Sequence, residues 1–141
     1  MKKGLLLLLC VFYFAGMGIS QDKAKKDTIT TKSGLKYILV KKGKGDLIKK
    51  GKKVFTHVVL TNLKGEELWT TRKDEKTFDF VYGEMSLIAG FNEAISLMKK
   101  GERSTFVLHP AIAYGERGSG ETIPPNTTLV FDIEVIDVTN K

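Results

Sequence analysis

The sequence predicts an α+β domain, an antiparallel β-sheet curled around one short amphipathic helix. Three observations lead there. Between Leu35 and Val138, short runs rich in apolar residues recur, separated by turns that carry glycine. Only the stretch from about Leu87 to Lys100 spaces its apolar residues as a helix does. One helix of about three turns cannot bury itself, so its stripe must cover one face of the sheet. Third, Ala113 to Phe131 joins a glycine-rich loop to a rigid Pro124-Pro125 turn and feeds directly into an alternating strand.

In chain order, Met1 to Ser20 reads as a signal peptide. Lys2-Lys3 supply a basic start, Leu5 to Ile19 carry no charge, and Gly18-Ile19-Ser20 form a small-residue end. The apolar run is shorter than the roughly 20 residues a membrane span needs. Cleavage is therefore expected near Ser20-Gln21, and the chain is read as exported, to the periplasm or the medium. Cys10 is the single cysteine. Leu7-Leu8-Leu9 puts bulk where a lipid-attachment signal wants a small residue, which argues against a lipoprotein. Loss of the signal leaves no cysteine for a disulfide or a thiolate site. Residues 21–32 are polar and lysine-rich and read as a flexible linker, with the domain proper spanning 33–141.

Leu35 to Val40 is a first strand, and Gly43, Gly45 and Gly51 punctuate a lysine-rich connection. Val54 to Thr61, apolar on both faces except at Thr56 and His57, reads as a central strand. Asn62-Leu63-Lys64-Gly65 turns the chain, and Glu67 to Thr71 returns. Phe78, Phe80 and Tyr82 share one side of a fourth strand. In the helix, Ile88, Phe91, Ile95 and Met98 form the apolar stripe. Lys99-Lys100 are expected at its C-terminal end, with Gly101 as its cap. Thr105 to Leu108 and Thr128 to Val138 complete the sheet.

The 141 residues carry a formal charge of +7. Without Lys2 and Lys3, 21 basic residues face 16 acidic ones, leaving +5. The lysine pairs are dispersed along the chain and do not alternate with aromatics, so they read as solvated turns and edges. No nucleic-acid partner is expected, and no membrane partner after signal cleavage. His57 and His109 lack metal-spaced partners, so no metal is expected. Ser96 and Ser119 lack a nucleophile signature. The Gly115–Gly120 cluster precedes a strand, unlike a phosphate loop, and no cofactor is expected. What remains is an apolar set: Phe78, Leu87, Ile88, Phe91, Tyr114, Ile123 and Phe131. The spacing alone fits a pocket wall and an ordinary core with a long hairpin loop equally well.

Four segments resemble the FKBP-type peptidyl-prolyl cis-trans isomerase family, in its exported bacterial form. They are Ser33-Gly34-Leu35-Lys36-Tyr37, Gly83 to Phe91, Met98-Lys99-Lys100-Gly101-Glu102-Arg103, and Ala113-Tyr114-Gly115 through Ile123-Pro124-Pro125 to Phe131. The resemblance covers about Ser33 to Val138. It implies that Phe91 is the pocket floor and that Phe78 and Phe131 are wall rings. It also implies that Leu87 and Ile88 bind substrate through the main chain, with the Ile88 N–H as donor. The Tyr114 hydroxyl would reach a substrate carbonyl, and Ile123 would form an aliphatic lip. Where the family has Asp-Gly-x-x-Phe-Asp-Ser-Ser, this chain reads Lys64-Gly65-Glu66-Glu67-Leu68-Trp69-Thr70-Thr71. Leu68 thus keeps an apolar wall position, and Trp69 replaces the pocket aspartate. Val58 stands where many members carry tyrosine, and the resemblance implies that it lines the substrate pocket with Leu68 and Trp69. The implied activity is isomerisation of X–Pro bonds during folding of exported proteins. The implied partners are proline-containing polypeptides and macrolide inhibitors. The loss of the aspartate leaves open a weakly active or inactive binding module of the same shape.

Overall fold

A computed structural model describes residues 26–141. The expected signal peptide, Cys10 and the first part of the linker lie outside the described residues. An antiparallel seven-stranded sheet has the order β1-β2-β8-β9-β4-β5, with β6 also pairing β4. Its strands are β1 (Ile29–Thr30), β2 (Lys36–Lys41), β4 (Lys53–Asn62), β5 (Glu67–Thr70), β6 (Phe78–Val81), β8 (Arg103–Leu108) and β9 (Leu129–Thr139). A second, two-stranded sheet pairs β3 (Lys44–Leu47) with β7 (Lys99–Lys100). The one α-helix among the described residues, α1, spans Ala89–Ser96. It is not long and apolar enough to cross a membrane.

The alternation in β9 turns Leu129, Phe131, Ile133 and Val135 into the core and leaves Val130, Asp132 and Glu134 half-exposed on the other side. β8 places Ser104, Phe106 and Leu108 inward, and β4 places Val54, Thr56, Val58 and Leu60 inward. β4 is central, as its two-sided apolar sequence suggests. It pairs β9 along its whole length, while β6 and then β5 share its other edge. Phe91, Ala94 and Ile95 of α1 pack on this face, with Met98 just beyond the helix.

The helix is shorter than the sequence suggested. It begins after Ile88, whose backbone is extended (φ −60°, ψ 148°), and ends at Leu97. Lys99-Lys100 are not in its last turn but form β7, with Lys44 opposite Lys100 and Leu47 opposite Lys99. Gly43 permits this. A Cβ there would stand 2.7 Å from the Lys100 carbonyl oxygen, so any side chain would push β7 away. Gly101 does take a left-handed conformation (φ +77°), but it turns β7 into β8 rather than capping α1. The segment expected as linker is tied to the sheet at Ile29 and Thr30, which pair with Tyr37 and Lys36.

Glu102 is buried between β7 and β8. One carboxylate oxygen accepts the Lys99 N–H at 3.2 Å and the other the Ser104 hydroxyl at 3.0 Å. Burial pushes its pKa above the ordinary carboxylate value, and the two hydrogen bonds oppose this only in part. With the folded value above the unfolded one, this group's stabilising contribution is complete at low pH. It is lost as pH rises through the folded value. Glu102→Gln keeps an acceptor for the Lys99 N–H and turns the Ser104 hydroxyl from donor to acceptor of the amide N–H, while removing the buried charge. The variant is therefore expected to melt at a higher temperature than the parent at pH 7.5. The gap should close as pH falls into the ordinary carboxylate range, which a series of thermal melts from pH 4 to 8 measures. A lower melting temperature at every pH would contradict this account of Glu102.

Candidate functional site

The site is a cup of about 400 Å³ between the sheet, the start of α1 and the loop from Tyr114 to Ile123. Its floor is aromatic. Phe91, on the first turn of α1, is buried, and three rings surround it. Phe131 of β9 lies at 5.5 Å between centroids, Phe80 of β6 at 5.8 Å and Phe78 of β6 at 6.1 Å. Each meets Phe91 at 64–75°, the edge-to-face packing that aligns the positive rim of one ring with the negative face of another. Trp69 continues the wall, edge-on to Phe78 at 5.8 Å (89°), and remains 45% exposed at the rim.

The helix side contributes Leu87 and Ile88. Asn92 donates from Nδ2 to the Leu87 carbonyl at 3.0 Å, and the Ile88 carbonyl accepts the Phe91 and Asn92 N–H groups at 3.1 Å each. These bonds fix the peptide ahead of the helix. The Ile88 N–H itself has no hydrogen-bond acceptor among the described residues. It is a donor left free at the edge of an apolar cavity.

The opposite wall is the long loop, which is held by its own backbone. Gly115 N–H donates to the Pro110 carbonyl (2.9 Å) and Asn126 N–H to the Gly115 carbonyl (2.8 Å). Ser119 and Ile123 exchange N–H···O bonds of 2.8 and 3.1 Å, a small β-bridge across the loop. Gly118 makes that closure possible. Its φ is +67°, and a Cβ would sit 2.3 Å from the Ile123 carbonyl oxygen. The bridge holds Ile123 buried against the cup and leaves the Tyr114 ring half-buried at its side. Tyr114 Oη makes no hydrogen bond among the described residues, so the cup presents a second free donor.

Of the residues singled out from sequence, Tyr114, Ile88, Phe91, Trp69, Phe78, Leu87, Ile123 and Phe131 line this one cavity. Two expectations need correction. Val58 lies fully buried in the core and does not reach the cup. The wall is made instead by Leu60, two positions further along the same strand face. Leu68 lines an adjoining groove with Leu63 and Pro124 rather than the cup. Adjacent strand residues face opposite ways, so once Trp69 faces the cavity Leu68 cannot. Leu60, Ser86 and Thr122 also line the cup and were missed by sequence reasoning. For Leu60 the signal was available, since it shares the alternation of Val58 and stands opposite Phe131 in register. Ser86 and Thr122 carry no pattern that marks them.

Among the described residues, no carboxylate, amine, guanidinium or imidazole lines the cup. Such a site has no acid–base pair to move a proton and no nucleophile. It can bind an apolar ring, strip water from a polar group attached to that ring, and donate hydrogen bonds from Tyr114 Oη and the Ile88 N–H.

The model of the FKBP-type peptidyl-prolyl cis-trans isomerase family matches residues 45–136. A probable FKBP-type peptidyl-prolyl cis-trans isomerase of Haemophilus influenzae is 40% identical over 116 residues, covering 82% of this chain and 47% of that protein. FK506-binding protein 1 of Dictyostelium discoideum is 38% identical over 103 residues, covering 73% of this chain and 96% of that protein. The crystal structure of FkpA from Escherichia coli superposes with a TM-score of 0.75 at 33% identity. The match covers 83% of this chain and 54% of that one. The chain thus spans about half the length of the Haemophilus and Escherichia relatives and nearly all of the Dictyostelium protein.

Proposed function

The chain belongs to the FKBP-type peptidyl-prolyl cis-trans isomerase family, and on that premise we propose that its cup catalyses rotation about X–Pro bonds in exported polypeptides. The observation that carries this reading is the convergence of the Phe78, Phe91 and Phe131 rings with two free donors, Tyr114 Oη and the Ile88 N–H.

Rotation about an amide bond faces a barrier of about 18–20 kcal/mol from resonance. No covalent bond breaks, so catalysis consists of favouring the twisted amide over the planar one. The planar form is the more charge-separated and loses more when water is removed. A dry aromatic cup therefore raises the ground state relative to the transition state. The rings grip the pyrrolidine, while Tyr114 and Ile88 hold flanking carbonyls and leave one side of the bond free to turn. None of these steps needs the carboxylate that Trp69 replaces. FK506-type macrolides, which the name of the Dictyostelium relative points to, would occupy the same cup. Residues 1–20 as a signal peptide and a periplasmic or secreted location complete the proposal.

A protease-coupled assay on an Ala-Leu-Pro-Phe peptide tests it. Acceleration in proportion to enzyme concentration is expected, and a rate equal to the spontaneous one would overturn it. Tyr114→Phe removes a hydroxyl that has no partner in the fold, so stability should stay within about 0.5 kcal/mol of the parent. The lost substrate hydrogen bond should lower kcat/KM by roughly 2- to 10-fold, the equivalent of about 0.5–1.5 kcal/mol. Unfolding of this variant would instead mark Tyr114 as a core residue.

A second reading, a binding module that holds extended chains without accelerating rotation, is favoured by the exposed Trp69 indole at the rim. Suppression of client aggregation that Phe91→Ala abolishes, without isomerase activity in the parent, would support it.

A further inference from the structure

The lysines dispersed in the sequence converge in the fold. β3 and β7 set Lys44 opposite Lys100. β2 ends at Lys41, and β4 begins at Lys53, opposite the end of β9 at Thr139. Gly51 N–H donates to the Tyr82 carbonyl and Tyr82 N–H to the Lys52 carbonyl, which holds residues 49–53 at this same end. One end of the sheet therefore gathers the pairs Lys41-Lys42, Lys49-Lys50, Lys52-Lys53 and Lys99-Lys100, together with Lys44. Nearby acids neutralise little of this charge. Asp137 pairs with Lys100 at 2.5 Å and Glu84 with Lys141 at 2.8 Å, Glu102 is buried, Glu134 is engaged by Arg72, and Asp46 and Asp79 are exposed carboxylates beside the nine lysines. Lys42, Lys44, Lys49 and Lys50 are exposed and form no ion pair among the described residues.

Aliphatic side chains interrupt the positive charge. Val40, Leu47 and Ile136 are 37%, 50% and 43% exposed at these strand ends. Nucleic-acid surfaces rely on arginine forks and stacking rings. Here the one arginine, Arg103, is engaged with Asp132, and Phe55 lies under the Lys53 ammonium at 5.0 Å. Lysine charge mixed with exposed aliphatic groups suits a bilayer interface, with ammonium groups at the headgroups and short apolar side chains just below. The chain also enters the domain here, since Lys26 Nζ donates to the Val40 carbonyl at 3.4 Å. The cup lies away from this surface. From Lys53 to Leu60, β4 advances seven residues, about 23 Å at 3.3 Å each.

We propose that this lysine-rich end docks the domain on an anionic lipid surface, leaving the cup open to polypeptides on the side away from the membrane. The reading of these lysines as solvated turns and edges rested on their dispersal along the sequence, and the fold gathers them. The proposal stands independently of the isomerase reading.

Co-sedimentation of the full chain with vesicles tests it. Two compositions are used, phosphatidylglycerol with phosphatidylcholine (1:1) and phosphatidylcholine alone, so that binding through the apolar N-terminal sequence appears in both. The anionic vesicles should bind at least about tenfold more tightly at low salt, with the preference lost near 0.5 M salt, where screening is strong. K42Q/K44Q/K49Q should remove most of that preference and leave isomerase activity unchanged. K64Q/K76Q/R117Q removes equal charge near the cup and should keep the preference. Equal binding to both compositions would overturn the proposal, as would equal loss in the two triple variants. Duplex DNA bound as tightly as the anionic vesicles through Lys42, Lys44 and Lys49 would also overturn it.

Discussion

Phe91→Ala is expected to lower the unfolding free energy by about 3–5 kcal/mol, the range for truncating a buried aromatic ring, and to reduce isomerase activity to the spontaneous rate. Phe91 is only 4% exposed and is the ring that Phe78, Phe80 and Phe131 all meet edge-on. Truncation removes three ring contacts at once and opens a cavity next to a surface cup. The collapse of Phe78 or Phe131 into that space would destroy the geometry that holds a pyrrolidine. Urea unfolding measures the first effect and the peptide assay the second. Phe91→Leu separates them. It keeps most of the volume, so it should retain the fold while losing activity through the missing ring face. A Phe91→Ala protein with parental stability and rate would show that the floor is not where substrate binds.

Gly118→Ala is expected to cut kcat/KM by about 100-fold while leaving the sheet folded, in line with the cost of an ångström-scale misplacement of catalytic groups. The position has φ +67°, which costs an alanine roughly 1–2 kcal/mol. The added Cβ would also meet three backbone atoms of the same loop, at 2.3 Å (Ile123 O), 2.9 Å (Pro124 C) and 2.9 Å (Pro125 N). Backbone cannot swing aside as a flexible side chain can, so the Ser119–Ile123 bridge must open. The damage stays local because the loop's bonds are almost all within itself and to Pro110. Circular dichroism should be unchanged and the midpoint of unfolding only modestly lowered. Near-parental activity would show that the loop's closure does not position Tyr114 and Ile123.

The fold could be read from the sequence because it depends on periodicity, whereas the cup was legible only through the family resemblance, since spacing alone fits a pocket wall and an ordinary core equally well. The alternation in β4, β8 and β9 fixes which side chains enter the core, and the stripe of Phe91, Ile95 and Met98 fixes which face of α1 meets them. What escaped depends on contacts between distant segments. Lys99-Lys100 resemble a helix end until Gly43, more than fifty residues earlier, is seen to admit them as a strand. Val58 and Leu68 were placed in the wall from a family pattern. In this chain Leu60 reaches the cavity in place of Val58, and Trp69 takes the cup side of β5. The lysine-rich end escaped for the same reason, because its charges come from β2, β3, β7 and the residues before β4.

Cis and trans X–Pro forms of a short peptide interconvert over tens of seconds or longer when uncatalysed. Two-dimensional exchange NMR of an Ala-Leu-Pro-Phe peptide with a catalytic amount of the full chain observes that interconversion directly, without a coupling protease. Cross-peaks linking the cis and trans proline signals at mixing times well below one second are expected, and they should vanish with Phe91→Ala. Line broadening that proves binding, with no cross-peaks at any mixing time, would contradict catalysis and leave a cup that holds proline without turning it.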